Sequence, residues 1–317
     1  MTDYSSQIAN ASLDVGAIKL SPADPFTWAS GFRMPIYNDN RALLASYDHR
    51  MLVTQGLAAK IREYQVSYDF IAGTATAGIA PAASLALELG VPLIIMQDGA
   101  AYQFENTQVD SSAFFDAIAS TCPWAIPFGV RRANDLQLPF MYVRQTKKGH
   151  GLQQQIEGRP QKGQQVLLLD YHRNDSYVET ARTALEKADV SVAQTVSRDI
   201  SDIITPTYIS GARVIVIEDL ISTGGSSAKA VQEVRDAGAL VTHCFSIFSY
   251  GLEVAAQAFG ELSPHVQTDS LLTYAQLLPI AIARGDISAK QQEVLQEWMN
   301  DPFNWGEKHG FPKVEKK

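Results

Sequence analysis

The sequence predicts an α/β protein built on a parallel sheet flanked by helices. Three observations carry this. Apolar runs recur along the chain: FIAG (70–73), VPLIIM (91–96), VLLLD (166–170), SVAQTV (191–196), VIVIE (214–218) and LVTHCFSIF (240–248). Most are continuous rather than alternating, which marks strands covered on both faces. Stretches with helical spacing of apolar residues separate them, and glycines punctuate the junctions.

Taken in order, residues 1–25 are mostly polar and are expected to pack loosely. Residues 47–65 place Leu52, Val53, Leu57, Ala58 and Ile61 at helical spacing. After FIAG comes a turn of small residues and a helix over APAASLALELG. Further helices are expected at 176–188 and 226–237. The stretch 273–300 is amphipathic, with Leu277, Leu278, Ala281 and Ile282, then Ile287 to Trp298, on the apolar side.

With 317 residues, 46% of them apolar, the chain can bury a sizeable core. No apolar run approaches the ~20 residues that span a membrane. The first residues, MTDYSSQIANASLD, lack the basic and apolar regions of a secretory signal. Cys122 and Cys244 are too few for a disulfide framework and read as free thiols. A cytoplasmic location is therefore expected. A net charge of −8 argues against nucleic acid as the main partner, while leaving room for a local basic loop that binds a small anion.

A weak internal echo is present. Residues 71–96 match 118–143 at an offset of 47: Ile71/Ile118, Ala72/Ala119, Thr74/Thr121, Ile79/Ile126, Leu89/Leu136 and Pro92/Pro139. Residues 163–196 and 211–244 share the order glycine, apolar strand, acid, helix, strand. Duplication and the general likeness of βα units both account for it.

The stretch richest in chemistry is VIVIEDLISTGGSS (214–227). A buried strand ends in Glu218 and Asp219, where ligands sit in open parallel sheets. The following turn has the glycines and hydroxyls of an anion nest opening a helix. It is not a Walker loop, because no GKS or GKT follows. A helix cap would explain serine, threonine and glycine alone. Two adjacent acids at the strand end favour a ligand with a phosphate at one end and hydroxyls, a metal or a developing cation at the other.

VIVIEDLISTGGSS resembles the phosphoribosyl-pyrophosphate (PRPP) motif of type I phosphoribosyltransferases. Four further stretches make the chain similar to the orotate phosphoribosyltransferases: FTWASGFRMPIYNDNR (26–41), AGTATAGIA (72–80), VRQTKKGHGLQQQIEGR (143–159) and LLTYAQLLPIAIARGDISAKQQEVLQEWMNDPFNW (271–305). In that family these are the hood, the pyrophosphate loop, the mobile catalytic loop and the C-terminal helices. The resemblance covers roughly 1–97, 143–165 and 211–310. It implies a type I phosphoribosyltransferase fold with a hood at 1–45, a core at 46–270 and a helical segment at 271–317.

The resemblance also implies roles. Ser222, Thr223, Gly224, Gly225 and Ser226 would hold the 5-phosphate, and Glu218 and Asp219 would face the ribose and its anomeric carbon. A carboxylate there stabilises charge that grows only in an oxocarbenium-like transition state. Arg144 and Lys147 would bind the pyrophosphate, with Lys148 and His150 catalytic in the same loop. Cations there ease departure of a highly charged leaving group, and Gly149 and Gly151 allow the loop to close. Gln145 stands where the family often has a second cation, so the partition of charge over Lys147, Lys148 and His150 stays open. Thr74, Ala75 and Thr76, followed by Ala77 and Gly78, would approach the pyrophosphate. Arg33 and Arg41 are candidates for the orotate carboxylate. Tyr37, Asn38, Thr223 and Tyr250 would contact the base, and Ala29 stands where some members have lysine. Mg²⁺ is implied through PRPP rather than through side chains. His49, His172, His243 and His265 have no spacing partners and suggest no zinc site.

The sequence departs from the family at 98–142 and 166–210, two extra βα-like insertions that bracket the catalytic loop and contain the echo. There TCPW replaces GTATAG, and DYHRND replaces EDLISTGG. If the insertions pack on each other as a degenerate second core, they could present the loop in cis. The resemblance otherwise implies a homodimer, the small-molecule substrates PRPP and orotate, and neither membrane nor nucleic acid as partner. The reaction implied is transfer of phosphoribose to orotate in pyrimidine synthesis. Transfer to another base, or a PRPP-binding regulator without turnover, are the competing readings.

Overall fold

The computed structural model describes residues 2–28, 30–104, 113–121, 123–146, 155–172, 176–202 and 204–314. The chain opens with helix α1 (Tyr4–Asp14), whose N-terminus Asp3 caps by accepting from the Ser6 amide at 3.0 Å. Loose packing is not what this segment does. Ile8, Ala9, Ala11 and Ser12 are buried, and α1 packs against the helices and strand that close the fold at its other end. Apart from Ser12, its polar residues are exposed or half-buried. Strands β1 (Ile18–Leu20) and β4 (Ile36–Asn38) pair antiparallel, as do β2 (Phe26–Thr27) and β3 (Arg33–Met34). A 3₁₀ turn over Asn40–Ala45 leads into α2 (Tyr47–Glu63).

The core begins with β5 (Phe70–Gly73), α3 (Ile79–Leu89), β6 (Leu93–Gln97) and β7 (Ala100–Phe104). Between β6 and β7 the chain reverses at Asp98 and Gly99, with φ of 52° and 77°, as a two-residue hairpin turn requires. Next come β8 (Ala117–Thr121), α4 (Ile126–Asp135), β9 (Phe140–Val143), β10 (Ile156–Glu157), β11 (Gln165–His172), α5 (Val178–Lys187) and β12 (Ser191–Asp199). The chain then returns through β13 (Ile204–Thr207), β14 (Arg213–Ile221), α6 (Gly225–Asp236), β15 (Leu240–Ser249), α7 (Glu253–Gly260) and β16 (Gln267–Thr273). Three helices finish it: α8 (Tyr274–Arg284), α9 (Ala289–Asn300) and α10 (Trp305–Lys308).

These strands form two large sheets rather than one. The first has the order β13-β7-β6-β5-β14-β15-β16, and the second β10-β9-β8-β11-β12. Both are parallel except at one edge, where β13, β7 and β10 run antiparallel to their neighbours. The 117–121 and 165–172 segments lie side by side in the second sheet, with Val166 opposite Ala117 and Leu169 opposite Ser120. Apolar side chains cover both faces of the central strands, as their continuous apolar sequence requires.

Helix α3 packs on α4, joining the two sheets through their helices. A buried polar chain reinforces that seam. Thr54 donates to Ser84 Oγ at 2.7 Å, Asn134 donates to the same oxygen at 2.8 Å, and Arg50 Nε donates to Asn134 Oδ1 at 2.9 Å. Arg50 also donates to the Leu44 and Leu138 carbonyls, both at 2.7 Å. At the C-terminal end, the 273–300 stretch is two helices, broken at Gly285 (φ 80°). Capping boxes Thr273/Gln276 and Ser288/Gln291 start them. Buried Trp298 packs against Trp28, Tyr250 and Tyr274, tying the hood to the core.

Candidate active site

The C-terminal ends of β5 and β14 open into a cavity of about 1030 Å³. Its walls come from three directions. The β14–α6 loop supplies Glu218, Asp219, Ser222, Thr223 and Ser226, the β5–α3 turn supplies Thr74 to Ala77, and the hood supplies Tyr37, Asn38 and Arg41. Tyr250 lies across from the hood, against Trp28 at 4.9 Å between ring centroids.

Glu218 is held on both oxygens. Thr74 Oγ1 donates to its Oε1 at 2.7 Å, the Asp219 amide donates to the same oxygen at 2.9 Å, and Ser227 donates to Oε2 at 2.9 Å. It is 8% exposed. Asp219 sits beside it at the cavity wall. Burial and the neighbouring Glu218 carboxyl push the Asp219 carboxyl well above the usual range, and Arg41 only partly opposes this. Asn40 Nδ2 fixes the Asp219 backbone by donating to its carbonyl at 2.6 Å.

The turn that follows is shaped as an anion nest. Gly224 adopts φ 79°, and a methyl there would lie 2.9 Å from Ala255 Cα, so both conformation and space demand glycine. Gly225 opens α6, whose amides point toward the cavity end. Ser222, Thr223 and Ser226 add hydroxyls. In the β5–α3 turn the Thr74 amide donates to Ile217 O at 3.0 Å, tying the two loops together, and the Ala75–Thr76 peptide is cis. Gly78 is packed so closely that a methyl would lie 2.6 Å from Ile217 O.

Of the hood arginines, Arg41 reaches the cavity and Arg33 does not. Arg33 donates to the Pro25 carbonyl at 3.1 and 2.7 Å and lies over the Phe311 ring. Arg41 pairs with Asp39 at 2.5 Å and with Glu157. Burial pulls its guanidinium down, but the hydrogen bond and charge of Asp39 and the charge of Glu157 outweigh it and hold the pKa up. Burial also raises Tyr37 and, more strongly, Tyr250, so both stay neutral phenols.

Arg144 stands just past β9 and donates to Glu157 Oε1 at 3.1 Å. Lys147, Lys148 and His150 lie outside the described residues, as does Ala29. Two residues that shape the candidate site escaped sequence reasoning. Glu157 is 3% exposed, lines the cavity and joins Arg41 to Arg144. Its only signal was an acid directly following the basic loop. The other, Asn40, carried no signal beyond its place in the 26–41 stretch; Ser227, expected from the sequence as a hydroxyl donor of the anion loop, donates instead to Glu218.

Among the described residues no cluster of three histidines, cysteines or acids forms a metal site, and no helix is long and apolar enough to cross a membrane. The cavity does carry hard oxygen donors, the Asp219 carboxyl and several hydroxyls, of the kind that suit a Mg²⁺ ion arriving on phosphate oxygens.

No family model matches the chain. It is similar to the orotate phosphoribosyltransferase of Streptococcus agalactiae, 31% identical over 303 residues, covering 96% of this chain and 99% of that one. The orotate phosphoribosyltransferase of Listeria monocytogenes is also 31% identical, over 300 residues, covering 95% of this chain and 97% of that one. Among solved structures, UMP synthase of Leishmania donovani superposes with a TM-score of 0.50 at 20% identity, covering 93% of this chain; the chain spans 42% of that protein. The fold is that of the type I phosphoribosyltransferases, and the chain belongs to the orotate phosphoribosyltransferase family.

Proposed function

We propose that the chain transfers the 5-phosphoribosyl group of PRPP to orotate, giving orotidine 5′-monophosphate and pyrophosphate in pyrimidine synthesis. The observation that carries this reading is one cavity lined both by the hydroxyls of the glycine turn that opens α6 and by the carboxylate pair at the end of β14. The nest at Thr223 to Ser226 takes the 5-phosphate. Thr74, Ala75 and Thr76 take the pyrophosphate from below, with Arg144 near its far side. Arg41, Tyr37 and Tyr250 line the base pocket, and the Arg41 charge suits a carboxylate-bearing base.

The bond from ribose C1 to the pyrophosphate oxygen breaks, its electron pair leaving with pyrophosphate. The orotate ring nitrogen forms the new bond and gives up its proton to solvent. Asp219, close to the anomeric carbon, opposes the positive charge that develops between the two events. Mg²⁺, carried on the phosphates of PRPP, would neutralise the leaving group, and Asp219 is a cavity carboxyl that would be able to hold it. Glu218, locked by Thr74 and Ser227, sets the position of Asp219 through its amide. A cytoplasmic location belongs to the same proposal.

The test is loss of orotate absorbance with PRPP and Mg²⁺, run beside Asp219→Asn. Turnover that collapses in the variant supports the reaction and the carboxylate together. PRPP binding without turnover in the native chain would replace the transfer reading with a binding protein.

A further inference from the structure

The two sheets repeat one another. Strands β7-β6-β5-β14-β15 and β10-β9-β8-β11-β12 have the same order and the same senses. The register shifts at matching places, between Val214 and Ile215 in β14 and between Val166 and Leu167 in β11. The Asp69 amide donates to Arg213 O at 2.8 Å, and its carboxylate accepts from the Arg213 amide at 2.8 Å. The Asp116 amide donates to Gln165 O at 2.9 Å, and its carboxylate accepts from the Gln165 amide at 3.0 Å. General likeness of βα units explains element order. It does not explain a shared register shift and shared side-chain locks, so the echo is duplication.

The copies have closed complementary parts. Thr121 Oγ1 donates to Asp170 Oδ1 at 2.7 Å, as Thr74 donates to Glu218, and Ser176 donates to Asp170 Oδ2 at 2.7 Å, as Ser227 does to Glu218. The residue after Asp170 is not an acid but Tyr171. It is 2% exposed, with its ring 4.4 Å from Phe128, and is packed into the apolar core where the other core has a carboxyl at its cavity wall. No glycine pair follows. In the seven-stranded core the opposite element is reduced. β6 and β7 are joined by two residues, whereas residues 144–155 join β9 and β10.

The matching helices α3 and α4 pack against each other and join the two cores. Glu157 lines that cavity, Arg144 and Arg41 meet on it, and Arg159 donates to Gly16 O in the hood at 2.9 Å.

We infer that the chain is a single-chain pseudo-dimer with one working site. The five-stranded core is a closed duplicate that acts as a built-in partner, contributing Glu157 to the cavity of the seven-stranded core with Arg144 paired to it, so one chain completes the site. The inference rests on the proposed transfer reaction for its first assay.

That assay mixes two impaired variants, Asp219→Asn and Arg144→Ala, with Arg144→Gln as a second lesion in the arm. Sedimentation at the assay concentration should give particles of one chain, and the mixture should show no more activity than the average of its parts. Recovery toward about a quarter of native activity, the yield of randomly paired chains sharing arms, would overturn the inference. If the native chain fails to turn over orotate, the transfer reading falls while pyrophosphate binding still decides the inference. A roughly tenfold weaker affinity in Arg144→Ala, measured on single-chain particles, upholds it. Unchanged affinity, or particles of two chains, sinks it.

Discussion

Replacing Gly225 with alanine separates what the fold requires from what the ligand requires. Gly225 opens α6 with φ outside the left-handed region, and a methyl built on it meets nothing within 4 Å. In the free protein alanine should therefore be the better residue. It restricts the unfolded chain and should add about 0.5–1 kcal/mol, or roughly 1–3 °C in Tm for a chain of this size. Gly224 differs, since its φ and the Ala255 backbone already exclude a side chain. The fold gives no reason for glycine at 225, but a phosphate lying against the nest amides does. A methyl there would lift the phosphate oxygens from one or two charge-assisted hydrogen bonds, each worth about 1.5–3 kcal/mol. The KM for PRPP should rise on the order of ten- to a hundredfold, with kcat less affected. Thermal melting without ligand and steady-state kinetics with varied PRPP measure the two effects. A higher Tm with unchanged PRPP affinity would refute the placement of the phosphate.

Three more outcomes follow from the geometry. Asp219 has its pKa raised by burial and by Glu218, so its ionised form costs the folded state, and that cost appears as pH rises through the raised value. Asp219→Asn should therefore match the native chain in stability below about pH 4 and melt higher than it near pH 8, while losing turnover at least about a hundredfold. The native kcat/KM profile should in turn show an acidic limb above the ordinary carboxylate range. Arg50→Met removes a 4% exposed guanidinium and orphans the Leu44 and Leu138 carbonyls, so a loss of about 3–5 kcal/mol is expected from denaturant midpoints. Gly78→Ala forces a methyl against Ile217 O and the Thr74 amide; it should cost about 1–3 kcal/mol in the same measurement, and most activity with it.

Much of the site was legible because its signals are local. An acid pair at the end of an apolar strand, followed by glycines and hydroxyls, sits within one short stretch, and the central strands announced themselves as apolar runs. The parts that escaped depend on distant partners. Glu157 lies in a polar stretch, and its burial is made possible by Arg41, 116 residues away. Nothing local distinguishes a carboxylate that will be neutralised from one left in water. An apolar run also says that a strand is covered, not which sheet it joins, so a second core could be read only from the internal echo and not from the strands themselves. Helix α1 was missed because its buried face uses Ala9, Ala11 and Ser12, which weigh little beside the polar residues around them.

The internal duplicate also sorts the two acids that the motif presents together. What both cores retain serves the fold they share, and what only one retains serves what only one does. The threonine-to-carboxylate bond is retained, at 2.7 Å in both. The serine donor near the head of the following helix is retained too, as Ser227 in one core and Ser176 in the other. Asp170 is fully buried and engaged by Thr121, Ser176 and Ser197, beside the buried ring of Tyr171. It cannot be there for a ligand. Glu218 occupies the corresponding place with both oxygens engaged, so its first duty is to pin β14 to the β5 turn. Asp219 corresponds to Tyr171 and Gly224 to no glycine, and these are the positions the closed core has given up. Glu218→Gln should thus lower stability by about 1–3 kcal/mol, because one amide end turns a donor toward groups that themselves donate. Its kcat should fall less than that of Asp219→Asn. Equal stability with a larger loss of kcat in the Glu218 variant would reverse the assignment and make Glu218 the residue that faces the developing charge.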